Sequence, residues 1–359
     1  MKNLGFSIGV DAWVEEACEL LARLIATPRV SRDETAAADI LEQQMKEWGL
    51  TVNRAGNNLW TLSDHFDESY PTVLLNAHID TVKPVATWTR NPHQPTWEGD
   101  RLYGLGSNDC GGGLVSLLQV FRLLNPQERR FNMVYLASCE EEVSGSDGIV
   151  KALPLLPRID VAIVGEPTSL QPAIAEKGLM VIDGYAHGVS GHAARNEGVN
   201  AIYEALDDLI WLRNYRFPEV SPLLGPTKMT VTILEAGTQH NVIPDTLHFV
   251  IDVRTNELYR NEDVYEFLCQ NMKKSELKAR SFRLHSSSIA ADHPLVAACV
   301  ATGRQPFGSP TLSDQALMPF PSFKLGPGES SRSHSADEFI CRSEIVEAIT
   351  LYQQVLSVL

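Results

Sequence analysis

Thr72-Val-Leu-Leu-Asn-Ala-His-Ile-Asp80 is an apolar run of strand length that closes on a histidine and an acid two residues apart. Alternate residues of a strand share a face, so His78 and Asp80 point the same way if the strand continues through them. Upstream, Val14, Cys18, Leu21 and Ile25 recur at helical spacing from Asp11 until Pro28 stops the helix. A second helix opens on Ser31-Arg-Asp-Glu34, a capping-box pattern, and runs through Ile40, Leu41, Met45 and Trp48 to Gly49. Residues 50–62, LTVNRAGNNLWTL, read as a hairpin around Gly56–Asn58. Downstream, a glycine-rich loop (Gly104–Gly113) precedes the helical run LVSLLQVFRLL. The strand FNMVYLAS leads to Glu140-Glu141-Glu142, and the strand VAIVG to Glu166. Short apolar strands alternating with helices predict an α/β sheet covered on both faces.

From about Lys177 the rhythm changes. LMVIDGYAH, GVNAIYEALDDLIWLRNY, KMTVTILEA, TLHFVIDVR, NEDVYEFLCQNMK and LKARSFRLH read as β-α-β-β-α-β, the split βαβ pattern of a compact sandwich. Helix-forming sequence returns after about residue 287 and ends in the amphipathic EIVEAITLYQQVL. The economical partition is one domain of residues 1–176 and 287–359, with a smaller domain of residues 177–286 inserted in it.

The chain has 359 residues, more than one core usually serves, and a hydrophobic fraction of 44%, ordinary for a globular protein. Thirty Lys and Arg against 45 Asp and Glu give a net charge of −15. Nucleic acid and anionic membrane surfaces are gripped by clustered cations, so both are excluded as expected partners. No apolar run approaches the ~18–20 residues that span a bilayer. The N-terminal stretch is broken by Asp11, Glu15 and Glu16 and does not read as a signal peptide. Six scattered cysteines without CxxC pairs fit a reducing compartment, so the expectation is a cytoplasmic protein.

Four clusters share one placement, after an apolar strand or a glycine-rich turn: His78 with Asp80, Asp109 in GLGSNDCGGG, Glu141 with Glu142, and Glu166. Loops at the carboxyl ends of strands converge in open α/β sheets. Like charges share a poorly solvated site only if protonated or held by a cation. Histidine with carboxylates and no cysteine ligand suits zinc, cobalt or manganese. Asp80 is placed to orient the His78 ring, and His334, in GPGESSRSHSADEF, is a candidate to complete the site. The glycine-rich loop lacks the spacing of either a dinucleotide or a phosphate loop. Taken singly, each cluster also reads as a surface pair, a solvated acidic face or a routine loop acid. Cys110 and Cys139 flank the site, but acidic surroundings raise a thiol pKa and disfavour a cysteine nucleophile; both read better as small packing residues.

The ordered set LNAHIDTV, GLGSNDCGGG, ASCEEEVSGSDG, VGEPTS, VSGHAARNEGVNAI, GTQHNVIPDTLHFVIDVR and GPGESSRSHSADEF resembles the dinuclear-zinc aminoacylase family across essentially the whole chain. That family includes acetylornithine deacetylases, succinyl-diaminopimelate desuccinylases, aminoacylases and glutamate carboxypeptidases. The resemblance implies a zinc-peptidase-like α/β catalytic domain, its mixed sheet flanked by helices, and an inserted α+β ferredoxin-like lid that also makes a homodimer contact. It implies two zinc ions, with cobalt able to substitute. His78 and Glu166 would bind one ion, Glu142 and His334 the other, and Asp109 both. Glu141 would be the general base and Asp80 would orient His78. The triple glutamate leaves this register open by one, and the following V-S-G-S-D-G selects Glu141 and Glu142. His192 would donate to the oxyanion from the partner subunit's lid, with His187 as the unimportant comparator. Asn241 and Arg254 would hold the substrate carboxylate; the alternative for Arg254 is an ion pair at a strand end.

The sequence departs from the family at Gly111, where a lysine is usual, and at Asn196, where a proline is common. VGEPTSLQP and GHAARNEGVNAI look most like acetylornithine deacetylases, which implies N-acetylornithine as substrate in arginine biosynthesis. N-acetylcitrulline, N-succinyl analogues, succinyl-diaminopimelate and dipeptides are the rivals. A metal-binding dimeric scaffold without turnover is the reading from another class, and the intact Glu141 argues against it.

Overall fold

The computed structural model describes residues 9–359; the first eight residues of the N-terminal stretch considered above as a signal segment lie outside the described residues. The chain divides into two compact units. One runs to Ile174 and takes in Ile289–Phe307 and Ser313–Leu359; the other holds Ala175–Ser288 with Gly308–Leu312.

In the first unit, Asn53–Ala55, Asn58–Leu62, Asn132–Ser138, Thr72–His78, Val161–Val164 and Ser322–Lys324 follow one another across a mixed sheet. Thr72–His78 is central, parallel to both Asn132–Ser138 and Val161–Val164. Its alternation sorts the two covered faces. Val73, Leu75 and Ala77 enter the larger core with the helices Gly9–Ile25, Gly112–Leu124 and Arg342–Leu356, while Leu74 enters a second cluster with Val134, Leu136, Ala162 and Val164. Full burial of such side chains stabilises by roughly 1.5–3 kcal/mol each before entropy is subtracted. The helix Gly112–Leu124 starts flush against the strand end at Gly165, where a Cβ on Gly113 would lie 1.8 Å from the Gly165 carbonyl oxygen. That contact brings the start of the helix after Asp109 to the loop carrying Glu166.

The helix Thr35–Glu47 forms, but the capping box expected at Ser31 and Glu34 does not. Ser31 instead donates to Asp80 Oδ2 at 2.6 Å, and the buried Glu34 accepts the Glu140 N–H at 3.2 Å. Long-range partners outcompete the local cap because both side chains lie beside the site. The strand ladder also stops at His78, so Asp80 belongs to the following turn.

In the second unit, Met180–His187, Ala201–Asn214, Lys228–Ala236, Thr246–Arg254, Asn261–Asn271 and Ser275–Ala279 give β-α-β-β-α-β. The antiparallel sheet has Lys228–Ala236 at one edge, then Thr246–Arg254, Met180–His187 and Ser275–Ala279. The last strand is shorter than the expected 277–285. Met180, Ile182, Leu247, Phe249, Ile251 and Val253 face Ala201, Ala205, Leu212, Val264 and Leu268 of the helices in a separate core.

Candidate active site

The acid and histidine clusters at the strand ends meet in the first unit. Buried His78 has Nδ1 2.9 Å from the main-chain oxygen of Asp80. A carbonyl oxygen only accepts, so Nδ1 carries a proton, and Nε2 is the nitrogen left to face the carboxylates. Nε2 lies 3.2 Å from Asp109 Oδ1 and 3.6 Å from Glu166 Oε1. The Asp80 carboxylate is farther from Nδ1, at 3.6 Å, so the nearer atom orienting the ring is the main-chain oxygen. That carboxylate accepts the N–H groups of Glu141 at 3.1 Å and Glu142 at 3.2 Å, besides the Ser31 hydroxyl.

On the opposite side, His334 Nε2 stands 2.9 Å from Glu142 Oε2 and 3.6 Å from Asp109 Oδ2. Asp109 thus presents Oδ1 to one histidine and Oδ2 to the other. Glu140 turns away from this set: its Oε2 accepts the Asp147 N–H at 3.4 Å. Glu141 lies close enough to His78, Glu166, Asp314 and Glu142 to feel their charges.

Electrostatics follow from crowding. Burial pushes the Glu141 carboxyl well above its ordinary range, and burial with the Asp109 charge lifts Glu166 to about 8. Burial opposes charge on His78, yet Cys110, Asp109 and Asp80 together raise its pKa well above the usual value. The hydrogen bond to Glu142 lifts His334 to about 9. Two ring nitrogens facing carboxylate oxygens are attractive only with a positive charge between them, a proton or a metal ion. Asp109, Glu142 and Glu166 with two imidazoles fit divalent ions of intermediate softness; the Cys110 sulfur also lies within 4.8 Å of ligand atoms of His78 and Glu166. Cys110 has its thiol pushed to about 12 by burial and accepts the main-chain N–H of His78 on its sulfur at 3.2 Å, as a packing residue would.

Several supporting residues carry no signal in the sequence. Buried Glu338 accepts three main-chain N–H groups from the Asp109 loop: Gly106 at 3.0 Å, Asn108 at 2.8 Å and Asp109 at 2.9 Å. The short sheet that pairs Phe339 with Tyr103 puts it there. Asn108 donates to the Glu329 carbonyl at 3.0 Å and accepts the Glu329 N–H at 3.0 Å, joining the Asp109 loop to the loop of His334. Arg29 is fully buried nearby.

His192, Asn241 and Arg254 belong to the second unit. His192 pairs with Val242 on a short antiparallel ladder, and the Ala193 N–H donates to the Asn241 carbonyl at 3.0 Å, so His192 and Asn241 are neighbours. Arg254 donates through Nε and Nη2 to the two oxygens of Asp252 at 2.9 and 3.1 Å. That is the ion pair held as its alternative role, although Nη1 has no hydrogen-bond partner among the described residues. His187 lies 3.9 Å from Glu276 on the exposed surface.

The chain is 28% identical over 369 residues to the acetylornithine deacetylase of Edwardsiella ictaluri, covering 94% of this chain and 96% of that one. It is also 28% identical over 353 residues to a Mycobacterium tuberculosis protein named as a succinyl-diaminopimelate desuccinylase, with 94% and 97% covered. Among solved structures, the Bacillus subtilis YXEP protein, described as a dinuclear metal binding peptidase of the M20 family, superposes with a TM-score of 0.74 at 17% identity, over 96% of this chain and 98% of that one. No helix among the described residues is long and apolar enough to cross a membrane. The sequence profile described as peptidase family M20/M25/M40 matches residues 74–358, and the chain belongs to this family of amide hydrolases.

Proposed function

We propose that the protein removes the acyl group from an N-acyl amino acid, with N-acetylornithine the leading substrate and the reaction belonging to arginine biosynthesis. The observation that carries this reading is the division of the Asp109 carboxylate between His78 and His334. His78 and Glu166 would hold one divalent ion, Glu142 and His334 a second, with Asp109 shared; zinc is the expected metal and cobalt a substitute. Bound ions there supply an acidified water and a Lewis acid for the amide carbonyl.

The chain's own groups do the remaining work. Glu141 takes the proton of the attacking water and returns it to the leaving amine. Asp80 keeps Glu141 and Glu142 in register through their main-chain N–H groups. His192 of the partner subunit donates to the developing oxyanion. Asn241 and the remaining Nη1 of Arg254 receive the substrate carboxylate.

A homodimer through the second unit is supported by its surface. Tyr203, Leu206 and Ile210 form an exposed stripe on the helix Ala201–Asn214, and Ile233 and Leu234 are exposed on the edge strand Lys228–Ala236.

The names of the relatives favour acetyl and succinyl substrates equally in identity. The GHAARNEGVNAI and VGEPTSLQP segments favour acetylornithine. The test offers zinc- or cobalt-loaded protein N-acetyl and N-succinyl derivatives of ornithine, citrulline and diaminopimelate, together with dipeptides. The highest kcat/KM is expected for N-acetylornithine; a dipeptide as best substrate would overturn the deacylase reading.

A further inference from the structure

Arg29 lies just beyond the first helix and is only 1% exposed. Its Nη1 donates to the Ile79 carbonyl, between His78 and Asp80, and its Nη2 to the Gly106 carbonyl at 2.8 Å. Its Nε has no partner, and no carboxylate among the described residues lies within ion-pair distance of it. A guanidinium buried on carbonyl oxygens alone is costly, because nothing next to it cancels the charge. The acids whose charge reaches it are Glu338 foremost, then Asp80 and Asp109. Glu338 is 2% exposed, and its partners are the N–H groups of Gly106, Asn108 and Asp109. The two charges meet through one residue: Gly106 gives its N–H to Glu338 and its carbonyl to Arg29.

Glycines make this arrangement possible. Gly106 has φ +72°, and a Cβ there would lie 2.6 Å from Arg29 Nη2. A Cβ on Gly111 would lie 3.4 Å from the same nitrogen and 2.3 Å from the Gly106 carbonyl oxygen. The guanidinium therefore sits against position 111, where the family resemblance leads one to expect a lysine.

We propose that Arg29 and Glu338 form a buried charge couple, acting through Gly106, that positions Asp109 between its two histidines. Both are positioning residues, and the proposal rests on the reading of Asp109 as the shared metal ligand. Arg29 also ties the His78–Asp80 turn to the Asp109 loop, so one side chain sets the separation of the first two ligands.

The test is a double-mutant cycle of Arg29→Met, Glu338→Gln and the double variant, with Arg29→Lys as the conservative change. Zinc affinity is read by competition with a chelating dye, and urea unfolding is read on metal-free protein. Each single change should weaken zinc binding about tenfold or more, the range for residues that orient metal ligands. The double variant should be no weaker than the weaker single one, because neither charge is then left uncompensated. Arg29→Lys keeps the charge but cannot reach both carbonyls, and should fall between wild type and Arg29→Met. Losses that multiply in the double variant, or zinc affinities within about twofold of wild type, would overturn the couple. If Arg29→Met does not fold, Arg29→Gln, which also removes the charge, takes its place in the cycle. If wild type binds no zinc, the metal reading fails by itself, and coupling or additivity in the metal-free unfolding cycle still decides for or against the couple.

Discussion

Asp80 grips Glu141 by its main chain: the carboxylate two residues beyond the strand Thr72–His78 accepts, at 3.1 Å, the N–H of the proposed base, which follows the parallel neighbour Asn132–Ser138. The other oxygen takes Glu142 at 3.2 Å, and Ser31 supplies a third donor. Asp80→Asn would turn an amide N–H toward a main-chain N–H. The loss of one such buried bond costs about 1–3 kcal/mol. We expect kcat to fall about tenfold to a hundredfold, with metal content retained. Metal analysis beside steady-state kinetics checks it; unchanged kcat would remove Asp80 from the account.

Glu141→Gln keeps the shape of the turn and removes only the proton acceptor. We expect kcat to fall by about 10²–10⁴-fold, with KM and zinc content close to wild type. Turnover near the wild-type rate would place the base elsewhere in the triple glutamate.

Without metal, stability should fall as the pH rises. Glu166, lifted to about 8, binds its proton more tightly folded than unfolded, so its contribution is complete below the ordinary carboxylate range and is lost as the pH passes 8. His334, lifted to about 9, contributes fully below the ordinary imidazole value and loses that contribution as the pH passes 9. Urea midpoints of chelator-treated protein at pH 6 should therefore exceed those at pH 9, and zinc should flatten the difference. A metal-free protein more stable at pH 9 would contradict the crowding argument.

The stripe of Tyr203, Leu206 and Ile210 predicts its own test. Ile210→Asp should shift the protein from dimer to monomer in light scattering. If His192 acts across the dimer, the monomer should lose most turnover while keeping its metals. A monomer with full activity would sink the shared-site reading.

The acids and histidines of the site were legible because each closes a short apolar strand or a glycine-rich turn, a pattern written locally in the chain. The alternation in Val73, Leu74 and Leu75 likewise announced a sheet covered on both faces. Arg29, Glu34 and Glu338 were not legible, since their partners lie far off: Arg29 bonds residues 50 and 77 positions away, and Glu338 reaches back 229 to 232. Ser31 and Glu34 misled for the same reason, as a local capping pattern was overridden by Asp80 and Glu140. The Asp80 atom nearest the His78 ring is the main-chain oxygen and not the carboxylate, because the strand ends two residues before Asp80.

The central claim is that Asp109 is shared between two metal ions. A crystal soaked in zinc and measured at the zinc absorption edge tests it directly. Two anomalous peaks are expected to flank the Asp109 carboxylate, one beside His78 and Glu166 and the other beside Glu142 and His334. A single peak, or two peaks that leave Asp109 without contact, would contradict it.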